Sequence, residues 1–494
     1  MIPNLNWLRP RIVLPSTPSF RHSFSSQPNS RPTSPDYLAE FEDKLGGQSR
    51  SPSSSRWAGG AAGGGGPRSL LQTLWLWLSP IVTIVLLMAL GMKKATLEDK
   101  GVMDPYLCRP PSMFKSLDSV CSSADASRPQ ETIFQEEVGK FVVDTDLSLR
   151  SAQCDAIFPG LYLEADRSRD YWLSRGGVNS SDLDAAEQQG QARAMIKNNR
   201  LYIKSYSDNQ QGTRTKATLA AINEAITTSL EPLPDVEFVI QTGDTGIVAG
   251  APWALGREED QEDLTLIPDY GFFSWPEPGV GSFLEIQDKT LLYEAKQSWQ
   301  DKIAKLFWKG ALMVDVRKEL ITIAEEFPWG AVTDIDWSDK QRVQEELLTQ
   351  EDHCKYKYLA HAEGWAYSGR LKYLLQCRSV VIAHKMQYLQ HFHHLFNSDP
   401  TSPQQNLVIS PGRNFDRLPE VMEALQRDDK RAEMIATNSF NFYRHWLSPA
   451  SVNCYWRRLI TRWAEVQNFD PVLHKNDASY NSFILLGRVH WIPY

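Results

Sequence analysis

The residues best suited to chemistry lie in segment 361–375, where a loop of small residues runs into a helix-forming sequence. Gly364 and Gly369 let a ligand approach the main chain closely, and Ser368 is a residue type that commonly caps a helix N-terminus. Arg370 adds a planar guanidinium whose donors suit phosphate oxygens. The combination predicts an anion-binding site at the start of a helix. A surface helix that begins with serine and carries an exposed arginine fits the same residues.

A second candidate is Asp244, which follows the mostly apolar run 236–241. The run predicts a buried β-strand, and the residues Thr242 and Gly243 predict that it ends abruptly. In α/β proteins, ligands bind beyond the carboxyl ends of parallel strands, so Asp244 would lie where a ligand binds. An aspartate in an ordinary turn is the alternative interpretation.

Other motifs support no assignment. Asp-x-Asp pairs occur three times, and chance alone gives roughly two in a chain with this aspartate content. His391, His393 and His394 have no acidic residue at ligand spacing, so we expect a surface helix there and no metal site. The sequence has no P-loop, no complete GxGxxG and no GxSxG. Its six cysteines include no CxxC pair, which argues against a zinc ribbon.

The segments around these residues alternate between strand and helix patterns. We predict strands at 201–203, 236–241, 307–311 and 379–383, and helices at 213–229, 290–306, 315–326, 420–425, 431–443 and 451–466. Residues 467–494 show no clear periodicity. The repeated order of strand, turn and helix predicts an α/β fold with two lobes and mostly parallel sheets.

The composition is ordinary for a globular protein, and the net charge of −8 argues against a general nucleic-acid binder. Residues 1–69 are rich in Ser, Pro and Gly, which predicts a disordered tail. Residues 70–92 carry no charge, and as a helix they would span roughly 35 Å, enough for a bilayer core of about 30 Å. We therefore expect a transmembrane signal anchor there, with the tail cytosolic and a polar stem at 93–134. Asn179 begins an N-glycosylation triplet that would be usable in a lumen.

Three motifs taken together resemble one family closely. They are the segment 353–359 (HCKYKYL), the pattern Ser368-x-Arg370-x-Lys372, and the segment 375–381 (LQCRSVV). Over about residues 135–466 the sequence resembles the capsule-associated and protein O-glucosyltransferase family, glycosyltransferase family 90. The resemblance favours the anion-binding interpretation of Arg370 over the plain surface helix.

The resemblance implies an enzyme of GT-B type, with two Rossmann-like lobes and a cleft between them. An acceptor lobe would occupy about 135–300, a nucleotide-sugar lobe about 301–430, and a helical return 431–466, followed by a C-terminal tail at 467–494. Members transfer glucose or xylose from a UDP-sugar with inversion, and they need neither a cofactor nor an essential metal.

The resemblance also implies roles for single residues. Asp244 matches the family's general base, which takes the proton of the acceptor hydroxyl. Arg317 and Arg370 match two arginines that stabilise the leaving diphosphate. The other positions matched to nucleotide-sugar contacts are Gly310, Gly364, Ala366 and Ser368. The implied donor is UDP-glucose or UDP-xylose, and the implied acceptor is a glycan or glycoprotein.

Two departures from the family pattern keep a second interpretation open. Ala311 stands where a serine is usual, and Thr245-Gly246 stands where a proline is common. The alternative is a degenerate relative that binds sugar or protein without turnover.

The ends of the sequence and the cysteines bear on localisation. The C-terminus carries no KDEL-type signal, and with the anchor this predicts a single-pass type II protein of the Golgi or endoplasmic reticulum membrane, with its catalytic domain in the lumen. Within the family motifs, Cys354 and Cys377 are then expected to form a disulfide beside the nucleotide loop. Cys454 is expected to pair with an N-terminal cysteine. Buried free thiols are the alternative.

Overall fold

A computed structural model describes residues 143–209, 211–244, 249–275 and 280–490. The predicted tail, membrane anchor and stem lie outside these ranges. Within them, no helix combines the length and apolar character needed to cross a bilayer.

The described residues form α-helices and β-strands, with several helices or several strands in succession at some places. The helices are α1 (Ser151–Ile157), α2 (Leu163–Ser174), α3 (Ser180–Glu187), α4 (Gly212–Thr227), α5 (Phe283–Glu294), α6 (Asp315–Glu325), α7 (Lys340–Glu346), α8 (Leu371–Leu374), α9 (Leu418–Arg427), α10 (Asp429–Trp446), α11 (Pro449–Val466) and α12 (Tyr480–Leu486). The strands are β1 (Ala192–Lys197), β2 (Arg200–Tyr206), β3 (Val236–Gln241), β4 (Pro252–Ala254), β5 (Arg257–Glu258), β6 (Thr265–Leu266), β7 (Ser274–Trp275), β8 (Gly281–Ser282), β9 (Ile303–Gly310), β10 (Gly330–Asp334), β11 (Tyr356–His361), β12 (Val380–Ala383), β13 (Tyr388–Leu389), β14 (Val408–Ile409) and β15 (Ala478–Ser479).

The first lobe is built on a six-stranded sheet in the order β15-β2-β1-β3-β4-β6. Only the β3-β4-β6 part is parallel, whereas β15, β2, β1 and β3 pair antiparallel. The antiparallel part begins with a hairpin, because Asn198 and Asn199 both have positive φ (51° and 60°) and link β1 to β2 directly. Such a two-residue turn joins neighbouring antiparallel strands, so this part of the sheet departs from the expected parallel order.

The second lobe is built on a parallel five-stranded sheet in the order β10-β9-β11-β12-β14. Every residue of β12 is buried, as expected for a strand covered by helices on both faces. The core beside this sheet contains Trp308 and Tyr358 from the strands, Leu320 from α6 and Met422 from α9. The fold is therefore a mixed α/β fold whose second lobe has the predicted parallel sheet.

Helix α11 packs against the first lobe. The Trp463 indole donates to the Glu237 carbonyl at 2.9 Å, and Trp253 packs between Phe238 and Trp463, with ring centroids 4.0 and 5.6 Å away. A disulfide joins Cys454 of this helix to Cys154 of α1, as expected for a partner on the N-terminal side.

The structure corrects the predicted helix at 290–306. The chain is helical only to Glu294, and β9 begins at Ile303. Lys302, in the turn between them, forms a buried ion pair with Glu294 at 2.7 Å. Apolar residues in this stretch happen to fall at helical spacing, but pairing of β9 with β10 and β11 decides its conformation.

Candidate active site

The candidate site residues of the second lobe follow the carboxyl ends of three adjacent parallel strands. β9 ends at Gly310 and leads to Arg317, β11 ends at His361 and leads to Arg370, and β12 leads to His384. Carboxyl ends of parallel strands lie at one edge of a sheet, so the loops that follow them converge. The sheet therefore brings Arg317 and Arg370 together, although they are far apart in sequence.

Two guanidinium groups lie near the indole of Trp308. The Cζ atoms of Arg317 and Arg370 are 5.6 and 5.8 Å from its ring centroid. Arg317 is fixed in addition by hydrogen bonds from Nε to the Glu363 carbonyl (2.8 Å) and from Nη1 to the Ala311 carbonyl (3.0 Å). Within the described ranges, neither arginine forms an ion pair with a carboxylate.

The electrostatics of this pair favour an anion. Burial lowers the pKa of Arg317 to about 10, and burial together with the nearby Arg317 charge lowers the pKa of Arg370 to about 10. Both groups stay charged at neutral pH. Arg317 is buried and Arg370 is half-buried, and a ligand that carries negative charge would stabilise these two neighbouring cations.

Gly310 and Gly364 have no side chains, and this leaves room for the guanidinium groups of Arg370 and Arg317. A Cβ at Gly310 would lie 2.9 Å from the Trp308 ring and 3.3 Å from Nη2 of Arg370. A Cβ at Gly364 would lie 3.1 Å from Nη2 of Arg317. Both predicted glycines are therefore in contact with the arginine pair.

The structure corrects the predicted helix cap at Ser368. Helix α8 has only four residues, its N-cap is Arg370, and no side chain caps it. The Ser368 carbonyl accepts a hydrogen bond from Leu371 N at 3.2 Å, and the loop turns earlier through a bond from Gly364 N to the buried Ala366 carbonyl (2.9 Å). So short a helix has a weak dipole, so the positive character of the site comes mainly from the two guanidinium groups.

A buried carboxylate that the sequence analysis missed supports the loop. Glu363 accepts hydrogen bonds from the main-chain N–H groups of Gln387 and Tyr388 at 2.9–3.1 Å, and its own N–H donates to Nε2 of His384 at 3.2 Å. Burial raises the pKa of Glu363 to about 7 and lowers the pKa of His384 to about 4. These contacts fix the Glu363 carbonyl that holds Arg317. Nothing in the residue types around Glu363 indicates this role.

On the first lobe, Asp244 lies three residues beyond β3, as predicted. Its carboxylate accepts a hydrogen bond from Nη1 of Arg214 at 3.1 Å, and its side chain is 45% exposed, so a substrate could reach it. Arg214 lies 5.2 Å from the ring centroid of Tyr270, and Tyr270 packs edge-on against Trp275 at 5.1 Å. Trp275 contacts the loop of Arg370, because a Cβ at Gly369 would lie 2.7 Å from its ring. A continuous chain of contacts thus joins Asp244 to the arginine loop.

A buried ion pair between Lys372 and Asp269 connects the two lobes beside the loop that carries Arg370. The Lys372 ammonium lies 2.8 Å from the Asp269 carboxylate and donates to the Gly369 carbonyl at 2.6 Å. Both side chains are almost completely buried. Asp269 also accepts from Gly271 N at 2.7 Å, so one carboxylate orders the segment that carries Tyr270 and the loop that carries Arg370.

Comparison with known proteins identifies the family. Residues 151–482 match the family model described as Glycosyl transferase family 90. The chain belongs to this family. It is therefore a UDP-sugar-dependent glycosyltransferase, as the sequence motifs implied.

Curated relatives of this glycosyltransferase include two proteins with assigned transfer activities. The O-glucosyltransferase rumi homolog of Aedes aegypti is 26% identical over 380 residues, which cover 71% of this chain and 89% of that protein. Protein O-glucosyltransferase 1 of Homo sapiens is 22% identical over 325 residues, covering 61% and 79% respectively. A solved structure, Anabaena Alr3699/HepE in complex with UDP, is similar at a TM-score of only 0.23 and 11% identity over 34% of this chain and 52% of that one, which is too weak to support an argument.

Other predicted features of the glycosyltransferase can now be placed. Cys354 and Cys377 form the expected disulfide, with Cα atoms 4.9 Å apart. Glu294 lies beside them, but sulfurs joined in a disulfide offer no thiolate to a metal. Asn179 is exposed at the start of α3, and its glycosylation stays a prediction. Residues Thr245-Gly246 lie outside the described ranges.

The expected surface helix with histidines is wrong. His391 and His393 are buried, and only a short 3-10 helix (His393–Leu395) forms there. The ring of His391 packs against Phe272 and Tyr455, with centroids 5.1 and 4.8 Å away. Burial lowers the pKa of His393 to about 3, so it is neutral and packs as an aromatic ring.

Proposed function

We propose that this enzyme is an inverting glycosyltransferase of GT-B type that moves glucose or xylose from a UDP-sugar to a hydroxyl of a glycoprotein or glycan. The observation that carries the proposal is the pair of uncompensated guanidinium groups, Arg317 and Arg370, linked by contacts to Asp244. The relatives' names, O-glucosyltransferases that act on proteins, support glucose and a protein acceptor.

In the proposed mechanism, Arg317 and Arg370 bind the diphosphate and stabilise the charge that develops on it as the glycosidic bond to the donor breaks. Gly310, Gly364 and Ala366 let the nucleotide sugar approach the main chain, and the Ser368 hydroxyl is available to a ligand. No hydroxyl is available at Ala311, whose carbonyl instead orients Arg317.

Asp244 is the proposed general base. Its carboxylate would accept the proton of the acceptor hydroxyl while that oxygen attacks the anomeric carbon on the face opposite the diphosphate. The hydrogen bond from Arg214 orients the carboxylate, and its exposed face is open to an acceptor. The chemistry so assigned needs no metal and no cofactor.

We further propose that residues 70–92 anchor the enzyme in the Golgi or endoplasmic reticulum membrane, with the catalytic domain in the lumen. The two disulfides support an oxidising compartment, because such bonds are rare in the cytosol.

Substitution of Asp244 tests the enzymatic proposal. With the full chain in mild detergent and either UDP-glucose or UDP-xylose, we expect Asp244→Asn to lower the rate of UDP release in the presence of acceptor by about 10²–10⁴-fold, since the amide cannot take a proton. The dissociation constant for UDP should not change. The control is Asp260→Asn, an exposed aspartate of the loop after β5. Undiminished turnover in Asp244→Asn would exclude this residue as the base.

The second candidate function is a binding protein without turnover, which the missing hydroxyl at Ala311 favours. The same assay separates the two. A wild-type chain that binds UDP tightly but transfers sugar from neither donor to any glycan or protein acceptor would support the binding protein.

A further inference from the structure

Tyr367 lies in the loop between β11 and α8 of the second lobe, and its ring contacts the first lobe. A Cβ at Gly256 would lie 3.0 Å from Cδ1 and 3.6 Å from Cγ of Tyr367, so the ring rests against the main chain after β4. Only glycine leaves this space. The ring is thus held by packing, independently of its hydroxyl.

The hydroxyl of Tyr367 makes no hydrogen bond to any residue in the described ranges. Its surroundings are nevertheless polar: Asp269, Tyr270, Asp244 and Arg214 all act on it electrostatically. Burial, followed by the two carboxylates and Tyr270, raises the pKa of Tyr367 well above its ordinary value, against a smaller opposing effect of Arg214. The phenol therefore stays protonated at neutral pH and can donate a hydrogen bond as well as accept one.

This hydroxyl lies between the proposed diphosphate site and the proposed acceptor site. Its neighbours in sequence, Ala366 and Ser368, belong to the loop of Arg370, where the diphosphate would bind. The Tyr367 ring rests on Gly256, two residues beyond the carboxyl end of β4, and Asp244, where the acceptor hydroxyl would bind, follows the carboxyl end of the adjacent parallel strand β3. The group that lies between a diphosphate and an acceptor in a glycosyl transfer is the transferred sugar.

We infer that the Tyr367 hydroxyl hydrogen-bonds a hydroxyl group of the transferred sugar and so helps to select the donor. This inference rests on the proposed function. A site that pairs a phenol with a substrate hydroxyl favours substrates that carry the hydroxyl over those that lack it. The bond adds affinity for UDP-sugar but none for UDP, which has no sugar beyond the diphosphate.

The test compares UDP with UDP-sugar in Tyr367→Phe, a substitution that keeps the ring packed on Gly256 and removes only the oxygen. Dissociation constants for UDP, UDP-glucose and UDP-xylose are measured by titration calorimetry on the full chain. We expect the UDP constant to be unchanged, and the constant for the donor that the wild type prefers to rise about 3- to 10-fold, as for one neutral hydrogen bond. Tyr171→Phe, which removes the same oxygen from α2 away from the junction of the lobes, should change neither constant.

Several outcomes would overturn the inference. Equal weakening of UDP and UDP-sugar binding in Tyr367→Phe would mean that the residue only shapes the loop. Unchanged binding of both donors would mean that its hydroxyl does not touch the sugar. A wild-type chain that binds neither UDP nor UDP-sugar would refute the proposed function, and the inference with it.

Discussion

Arg317 and Arg370 are held in different ways. Two main-chain carbonyls orient the Arg317 guanidinium, whereas the Arg370 guanidinium has the Trp308 indole beside it and makes no hydrogen bond within the described residues. A guanidinium with unused donors gains more from a ligand than one already engaged. Under the proposed function, we therefore expect Arg370 to contribute more to diphosphate binding than Arg317.

The corresponding prediction concerns affinity for UDP. Arg370→Ala should raise the dissociation constant for UDP about 10- to 100-fold, the usual range for lost hydrogen bonds to a charged group, and should lower turnover as well. Arg370→Lys keeps the positive charge but lacks the planar guanidinium donors, so we expect an intermediate loss of UDP affinity. Arg413→Ala, an exposed arginine of the same lobe, is the control. Wild-type affinity and turnover in Arg370→Ala would show that the diphosphate binds elsewhere.

At this scale, the sequence alone indicates the residues whose types carry a signal. Gly364, Arg370 and Asp244 stand out through their chemistry and their place after a strand. Glu363 and Tyr367 do not, because their importance lies in what surrounds them in space. A buried glutamate that holds two main-chain N–H groups has no local pattern that distinguishes it from a surface glutamate.

Among the elements, the loop, α8 and β12 followed the predicted order of loop, helix and strand, whereas β11, which precedes the loop, was not predicted. The start of α8 differed from the prediction, which had Ser368 as its cap. A helix of a single turn needs no side-chain cap when main-chain hydrogen bonds close the turn. The helix at 290–306 failed for a different reason. Three exposed residues open β9, so the strand shows no alternation, and only its neighbours in the sheet reveal it.

The disulfide Cys354–Cys377 belongs to this scale because it encloses β11, the loop and α8. Replacing both cysteines by alanine should lower the free energy of unfolding by about 3 kcal/mol, the loop entropy expected for 23 residues of separation. We also expect weaker UDP binding, since the loop between the cysteines carries Arg370.

The other disulfide provides the matched control. Removing Cys154 and Cys454 should also reduce the stability, measured by denaturant unfolding, yet leave the dissociation constant for UDP unchanged. If both double variants affected UDP binding alike, the enclosed loop would not be the element that the first disulfide orders.

At the scale of the whole molecule, the buried pair Asp269–Lys372 connects the lobes. Asp269→Asn leaves the Lys372 ammonium buried without a counterion, and we expect a loss of about 3–5 kcal/mol in the free energy of unfolding. Lys372→Met should cost a similar amount by leaving the carboxylate unpaired. The double variant removes both charges, so its loss should be clearly smaller than the sum of the single losses. Additive losses in urea unfolding would mean that the pair does not act as a unit.

The general α/β architecture could be predicted from the sequence, but the C-terminal elements that complete the first lobe could not. Residues after 466 have no periodicity, yet β15 pairs with β2 and Phe483 of α12 is buried against the first lobe. A two-residue strand contributes too few positions to show alternation. Its place is decided by the open edge of a sheet that lies far away in sequence.

The pairing of β15 with β2 has a consequence for synthesis on the ribosome. When the first lobe leaves the exit tunnel, it lacks β15, α11 and the cysteine partner of Cys154, all of which follow the second lobe in the chain. Until they arrive, β2 is an unprotected edge strand of the kind that recruits other chains. The lobe that is synthesised first is therefore completed last, and its edge at β2 stays unpaired while the second lobe is translated.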